Sequence, residues 1–333
     1  MKPAPKPVAV LVLVLSLAAT APTAGALQAE KAPRIGILTV ARDGDVQVQK
    51  NFAALRQGLR ERGWIDGQNI GFEYRWADGK YERLPYLAAE LASLKVNVIL
   101  GATTPLIRAV KDATKTIPIV MVAIIDPVGA GFVTSLARPG GNITGLTFVP
   151  GPEIVGKQLE LIKEVIPQLS HVAVLMNPAN EAHGPLLRAA ETAGQVMRVR
   201  VQPFGAKDPN DLDSAFAAMT RARVGALLVL SDAGFYTHRG RVVELAAKNR
   251  LPAISGHMEL VAAGGLLAYG PNVAHQWNRA AMFVDKILRG VKPADLPVEQ
   301  PTNFELGINI KTARAFGLTI PPSLLLRADR VIE

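Results

Sequence analysis

The chain has 333 residues, of which 49% are apolar and 20% charged, with 24 prolines, no cysteine and a formal net charge of +9. At roughly 100–200 residues per domain this is a two-domain length, and the apolar content excludes a disordered, collagenous or coiled-coil chain. The lack of cysteine excludes disulfides, thiolate metal sites, a cysteine nucleophile and a lipidated cysteine anchor.

The first element in chain order is an export signal. Lys2 and Lys6 precede an apolar run from Val8 to Ala19, and small residues follow with an Ala-x-Ala pattern ending at Ala26. The run is shorter than the roughly 20 residues a membrane span needs, so the expectation is cleavage near Ala26 and a periplasmic chain that does not span the membrane. Loss of residues 1–26 removes those two lysines and no acid, which lowers the net charge from +9 to +7. Such a modest basic excess serves solubility, and nucleic acid is not an expected partner outside the cytoplasm.

After residue 33 the chain alternates strand and helix. Ile35–Thr39 is a short apolar run of buried-strand type, and Asp43-Gly-Asp45 has helix-start chemistry. A helix with Phe52, Leu55 and Leu59 on one face follows, closed near Gly63. Ile70, Phe72, Tyr74 and Trp76 alternate with more polar neighbours, which predicts a strand near a sheet edge. Helices are expected near 81–94 and 104–114, and strands near 96–101 and 117–123. A Gly/Pro-rich passage at 138–145 interrupts the rhythm. A second set then predicts helices near 153–165, 183–194, 209–222 and 238–249, with strands near 171–176, 197–202, 226–230 and 252–254.

This pattern predicts an α/β protein of two doubly wound parallel-sheet lobes. Lobe 1 is expected over 33–146 plus 272–298, and lobe 2 over 148–269 plus 302–333. The crossovers would hinge near Thr147, Gly270 and Pro301.

Catalytic signatures fail one by one. Ser255 lacks the flanking glycines of a nucleophile elbow, no His-Glu-x-x-His occurs, and the five histidines are scattered. Leu146 stands where a phosphate loop needs lysine, and Gly129-x-Gly131 lacks the third glycine of a dinucleotide fingerprint. No cofactor or metal is therefore expected.

Ligands of open parallel sheets bind beyond the carboxyl ends of the strands, so the loops there supply the candidates. In the first half these are Thr39, Arg42, Thr103, Thr104 and Asp126. Thr103 and Thr104 precede a helix with Pro105 in its first turn, where hydroxyls and free N–H groups hold a carboxylate or serve as a plain cap. Asp126 either pairs a ligand amine or braces its Asp-Pro turn. In the second half Asn177, Asn180, Asp232, Phe235, Tyr236 and His257 stand in the equivalent loops. The asparagines either bind or shape turns, and the aromatics either stack on a flat ligand or pack between lobes. Tyr269, beside a hinge glycine, faces cleft or core.

An ordered set of segments carries a wider resemblance. These are Phe52–Gly63 with Gly67-Gln-Asn69, Asp126–Gly131, Leu136–Gly145, Gly264-Gly265 with Tyr269-Gly-Pro271, Lys292–Pro301 and Lys311–Gly317. In them the chain resembles the exported substrate-binding proteins of ABC transporters, in the family that includes the tryptophan-binding lipoproteins of Gram-positive bacteria. The resemblance implies a type I periplasmic-binding-protein fold with three hinge strands. It also implies a monomer that binds a small solute between its lobes and hands it to an ABC permease with a cytoplasmic ATPase. On this reading Thr103, Thr104 and adjoining N–H groups take a carboxylate, Asp126 or Asp232 takes an amine, and Phe235, Tyr236 and Tyr269 form apolar walls. Two departures stand out. The missing lipid-anchor cysteine implies a free periplasmic protein of a Gram-negative cell, and Ala268 replaces the serine that many relatives carry. The rival expectations are a periplasmic acid/base enzyme of the same architecture and a sensory module for a membrane receptor.

Overall fold

The computed structural model describes Met1, Ala4, residues 32–149 and residues 151–333. The expected export signal, those two positions apart, lies outside the described residues.

The first sheet is formed by β1 (Arg34–Thr39), β2 (Gly71–Trp76), β3 (Val98–Ala102), β4 (Ile119–Ile124) and β5 (Ile143–Thr147). Their order is β2-β1-β3-β4-β5 and every pairing is parallel. Because side chains alternate faces, each strand feeds two cores. Ile35 and Ile37 of β1, Val98 and Leu100 of β3 and Val120 and Val122 of β4 point to one. Leu38, Ile99, Ile119 and Met121 point to the other. Both faces are covered by helices, the condition under which parallel strands read as continuous apolar runs. The edge position of β2 accounts for its half-buried, alternating sequence.

Helices α1 (Val46–Arg60), α2 (Leu84–Ser93) and α3 (Thr104–Ala113) connect these strands. Asp45 caps α1, its carboxylate accepting from the N–H groups of Gln47 and Val48 at 2.9 and 3.0 Å.

The second sheet has the order β12-β11-β10-β9-β8-β6-β7. It comprises β6 (His171–Met176), β7 (Arg200–Gly205), β8 (Ala226–Val229), β9 (Ala253–Ser255), β10 (Leu267–Gly270), β11 (Glu305–Asn309) and β12 (Arg330–Ile332). It is parallel except where β10 meets β11. Its faces are covered by α4 (Ile154–Val165) and α5 (His183–Met197) on one side, and by α6 (Asp211–Ala222) and α8 (Arg239–Lys248) on the other. The short helices α7 (Ala233–Thr237) and α9 (Met258–Ala262) follow β8 and β9.

The chain passes between the lobes three times. It leaves the first sheet after β5 and returns after β10 as α10 (Val273–Leu288), which packs on α1. Gly58 permits that approach, since a Cβ there would lie 2.6 Å from the Asn278 carbonyl oxygen. After α10, Glu299 bridges to Leu146 at the β5 edge, and the chain crosses again to β11, α11 (Ile310–Phe316) and α12 (Pro322–Leu325).

Three elements differ from expectation. The passage at 138–145 does not end the sheet. Its last residues enter β5, where Gly145 has φ +133° and a Cβ would meet the Met121 carbonyl oxygen at 2.0 Å. Helix α5 runs on from the expected 194 to Met197, where Arg198 in the left-handed region closes it, and Gly194 packs against the Val199 carbonyl. The following strand is shifted to 200–205, and as an edge strand it tolerates Pro203. The segment 305–333, which carries no strong periodicity, supplies two strands and two short helices.

Candidate functional site

A cleft opens between the carboxyl ends of the two sheets, with a cavity volume of about 110 Å3. From the first lobe it is lined by the residues that follow β1 and β3, among them Thr39, Thr103 and Thr104, and by Val48, Asn51 and Phe52 of α1 and Trp277 of α10. From the second lobe come Phe148, Asn180, Asp232, Tyr236 and His257. Phe52 and Trp277 meet edge to face at 5.1 Å between ring centroids, and the His257 ring lies 5.0 Å from both Phe148 and Tyr236. The walls are thus largely aromatic and apolar.

Set into them are four buried polar atoms with no hydrogen-bond partner among the described residues: Asn51 Oδ1, Thr103 Oγ1, the Tyr236 hydroxyl and His257 Nδ1. Asn51 and Glu259 stand near the Tyr236 hydroxyl, but it reaches hydrogen-bond geometry with neither. Orphaned buried polar groups are rare because each costs about 1–3 kcal/mol, so four on one cavity make it the candidate site. Burial pushes the His257 pKa down and, with Glu259, pushes that of Tyr236 up, so both side chains are uncharged near neutral pH.

Backbone strain is concentrated at the same place. Thr103 immediately precedes α3 with φ +83°, a conformation β-branched residues avoid, and its hydroxyl does not cap the helix. Its side chain is therefore held at the cleft rather than turned to the first-turn N–H groups.

Asp232 sits at the centre of a network on the second lobe. Its Oδ1 accepts from Gly234 N–H at 2.8 Å and from the Tyr81 hydroxyl at 3.0 Å; its Oδ2 accepts from the side-chain amides of Asn180 and Asn177 at 3.0 and 3.3 Å. His183 underpins this arrangement. Its Nδ1 accepts from Asn177 N–H at 2.8 Å, and its Nε2 donates to the Ser231 carbonyl at 3.1 Å. An N–H can only donate and a carbonyl only accept, so the two contacts select the Nε2–H tautomer. Burial lowers the His183 pKa, keeping the ring neutral.

Seven of the sequence-based candidates therefore line the cleft: Thr39, Thr103, Thr104, Asn180, Asp232, Tyr236 and His257. The other five do not. Arg42 is exposed, within electrostatic reach of His238. Asp126, at φ +44°, is exposed and turns back to accept from Gly129 N–H at 2.8 Å, bracing its own turn. Asn177 is buried behind Asp232. Phe235 packs into the second-lobe core, and Tyr269 stacks on Phe304 at 5.8 Å. Ala268 is also buried, against Met258 and Val261, so a hydroxyl at that position would not line the cleft.

A search of strand-end loops misses the helix residues Asn51, Phe52 and Trp277, as well as Tyr81. A signal for Asn51 exists: it is an amide within the apolar stripe Val48, Phe52, Leu55 of α1. Among the described residues no His/Asp/Glu cluster could hold a metal ion, and no helix is long and apolar enough to cross a membrane.

Comparison with known proteins adds the following. A family model described as ABC transporter substrate binding protein matches residues 39–332. A curated relative, the tyrosine-binding protein of Clostridioides difficile strain R20291, is 26% identical over 262 residues, which covers 79% of this chain and 75% of the relative. Among solved structures, a conserved domain protein from Vibrio cholerae superposes with a TM-score of 0.84 at 27% identity, covering 90% of this chain and all of that one. An ABC domain from Streptococcus pneumonia in complex with L-Trp gives 0.83 at 26% identity, over 90% and 99% of the two chains. The ligand-free, open structure of a Clostridium difficile substrate-binding protein gives only 0.64 at 25% identity over the same shares.

Proposed function

The chain belongs to the family of ABC transporter substrate-binding proteins, and from that premise we propose that it binds an aromatic amino-acid-like solute in the cleft by hinge closure. The observation that carries this reading is the set of orphaned polar atoms, two from each lobe, within aromatic walls. A ligand that satisfies Asn51 and Thr103 on one side and Tyr236 and His257 on the other gains its full set of bonds only when both lobes surround it. Differential contact of this kind is what lets a ligand shift an open–closed equilibrium.

Within this reading the carboxylate lies at Thr103, Thr104 and the first-turn N–H groups of α3, where the helix dipole favours an anion. The ring lies among Phe52, Phe148, Tyr236 and Trp277. The L-Trp ligand and the tyrosine-binding name of two relatives support the aromatic class. The lobes meet through Tyr81 with Asp232 and Arg108 with Glu181, contacts that a closed form requires.

As the exported, periplasmic component of an ABC importer, the protein would deliver this solute to a membrane permease driven by a cytoplasmic ATPase. Thermal unfolding of refolded, ligand-stripped protein against amino acids, small carboxylates, purines and sugars tests the solute class. A ligand at 100 times its Kd adds about 2.7 kcal/mol. Tyrosine or tryptophan is expected to raise Tm, and a response confined to sugars or purines would overturn the reading. Delivery is checked by uptake of the identified solute in a deletion strain, which should fall.

A further inference from the structure

The ligand reading above leaves open what meets an α-ammonium group, and the geometry of Asp232 bears on it. Asp232 is the one carboxylate among the residues lining the cleft, and it is 4% exposed. A carboxylate has about four lone-pair positions. All four are taken within the protein, at 2.8–3.3 Å, by Gly234, Tyr81, Asn180 and Asn177. Three of these donors are neighbours in the second lobe and stay with Asp232 as the lobes move. The fourth is different. Tyr81 belongs to the first lobe, in a single 3-10 turn after β2, 151 residues away in sequence.

We propose that Asp232 is the seat of an interlobe clasp closed by the Tyr81 hydroxyl, not the partner of a ligand ammonium, so that the cleft accepts aromatic carboxylates with or without an α-amino group. The clasp can form only when the lobes are together. Burial and the adjacent Asp232 push the Tyr81 pKa well above its ordinary value, so the phenol keeps the proton it donates. A second interlobe pair, Arg108 to Glu181 at 2.7 Å, is more exposed and contributes less. With Asp232 engaged, the ligand meets uncharged groups: Asn51, Thr103, Tyr236 and neutral His257. An amine would find only neutral acceptors, the Asn51 carbonyl oxygen and the free hydroxyls among them, and no carboxylate.

The proposal rests on the aromatic-solute reading for its ligand arm and stands independently for its clasp arm, so two measurements are paired. In the first, calorimetry compares L-tyrosine with 3-(4-hydroxyphenyl)propionate, which lacks the amine. A bond from the ammonium to a neutral acceptor is offset by the hydration the ammonium gives up on burial, so Kd values within about tenfold of one another are expected. Loss of an ammonium from a buried carboxylate would weaken binding by about a hundredfold or more, and that result overturns the proposal.

In the second measurement, small-angle scattering compares the ligand-free protein with Tyr81→Phe. The variant is expected to have the larger radius of gyration, and where tyrosine binds, to weaken both ligands by the same factor of about 2–10. An unchanged radius, or a loss confined to tyrosine, overturns the clasp. If neither ligand binds the parent protein, the aromatic-solute reading fails and the ammonium claim with it, while the scattering arm still decides the clasp.

Discussion

Replacement of Thr103 by valine separates a binding group from a structural one, because the two roles predict opposite signs. Valine keeps the shape and the β-branch, so the strain of φ +83° is the same before and after and cancels from the comparison. What changes is the hydroxyl, which is buried without a partner. Leaving such a group unsatisfied costs about 1–3 kcal/mol, so Thr103→Val is expected to stabilise the ligand-free protein by an amount of that order. The same hydroxyl facing a ligand carboxylate makes a charge-assisted bond of about 1.5–3 kcal/mol, so the variant should bind about 10- to 150-fold more weakly. Urea unfolding at constant m-value reads the first effect and calorimetry with L-tyrosine the second. A variant that is less stable than the parent, or more stable with an unchanged Kd, would refute the assignment of Thr103 to the ligand. Thr103→Gly serves as a control: it removes the hydroxyl and also relieves the backbone, so it should gain more stability than valine for a similar loss of affinity.

Two further predictions concern the fold that holds the cleft. Gly145→Ala adds a Cβ 2.0 Å from a backbone oxygen at φ +133° and should cost about 3 kcal/mol or more, whereas Gly63→Ala, at φ +89° with nothing within 4 Å, should cost about 1 kcal/mol; equal urea midpoints for the two would contradict the close-approach argument. Burial lowers the pKa values of His183 and His257, and burial with Arg42 lowers that of His238. Unfolded chains therefore bind protons that the native state does not. Stability is fully present above the unfolded pKa of about 6.5 and falls as pH drops below it, by up to about 1.4 kcal/mol per pH unit for each of the buried His183 and His257, with a smaller, solvent-screened share from the half-exposed His238. Urea midpoints at pH 7.5, 6 and 5 should decrease in that order, and a rise toward pH 5 would refute the neutral assignment.

Most of the chain's architecture was legible in its periodicities. The runs read at 35–39, 96–101 and 117–123 fall on parallel strands of a sheet covered on both faces, and the alternation at 70–76 falls on an edge strand whose residues are all half-buried. The loops at the strand ends also located much of the cleft, since a parallel sheet brings its carboxyl ends together whatever the loops contain. Legibility failed where the local rule had a tertiary exception. The helix expected to end near 194 and the Gly/Pro passage at 138–145 both hold glycines whose missing Cβ matters, one inside a helix against the Val199 carbonyl and one in a strand against Met121. Asp126 and Asp232 both follow strands as candidate amine partners, but one braces its own turn while the other is drawn into a network spanning both lobes.

The sequence by itself therefore determined the class of fold, the two-lobed alternation and the ends of the sheets where a ligand belongs, because those depend on local periodicity and chain direction. Which side chains line the cleft was decided only by the tertiary structure. Asn51 and Trp277 reach the cleft from helices that pack together across more than half the chain, and Tyr81 meets Asp232 from the opposite lobe. The state of a polar group depends on whether its partners are satisfied, and those partners are supplied by segments whose distance in sequence carries no information about their distance in space.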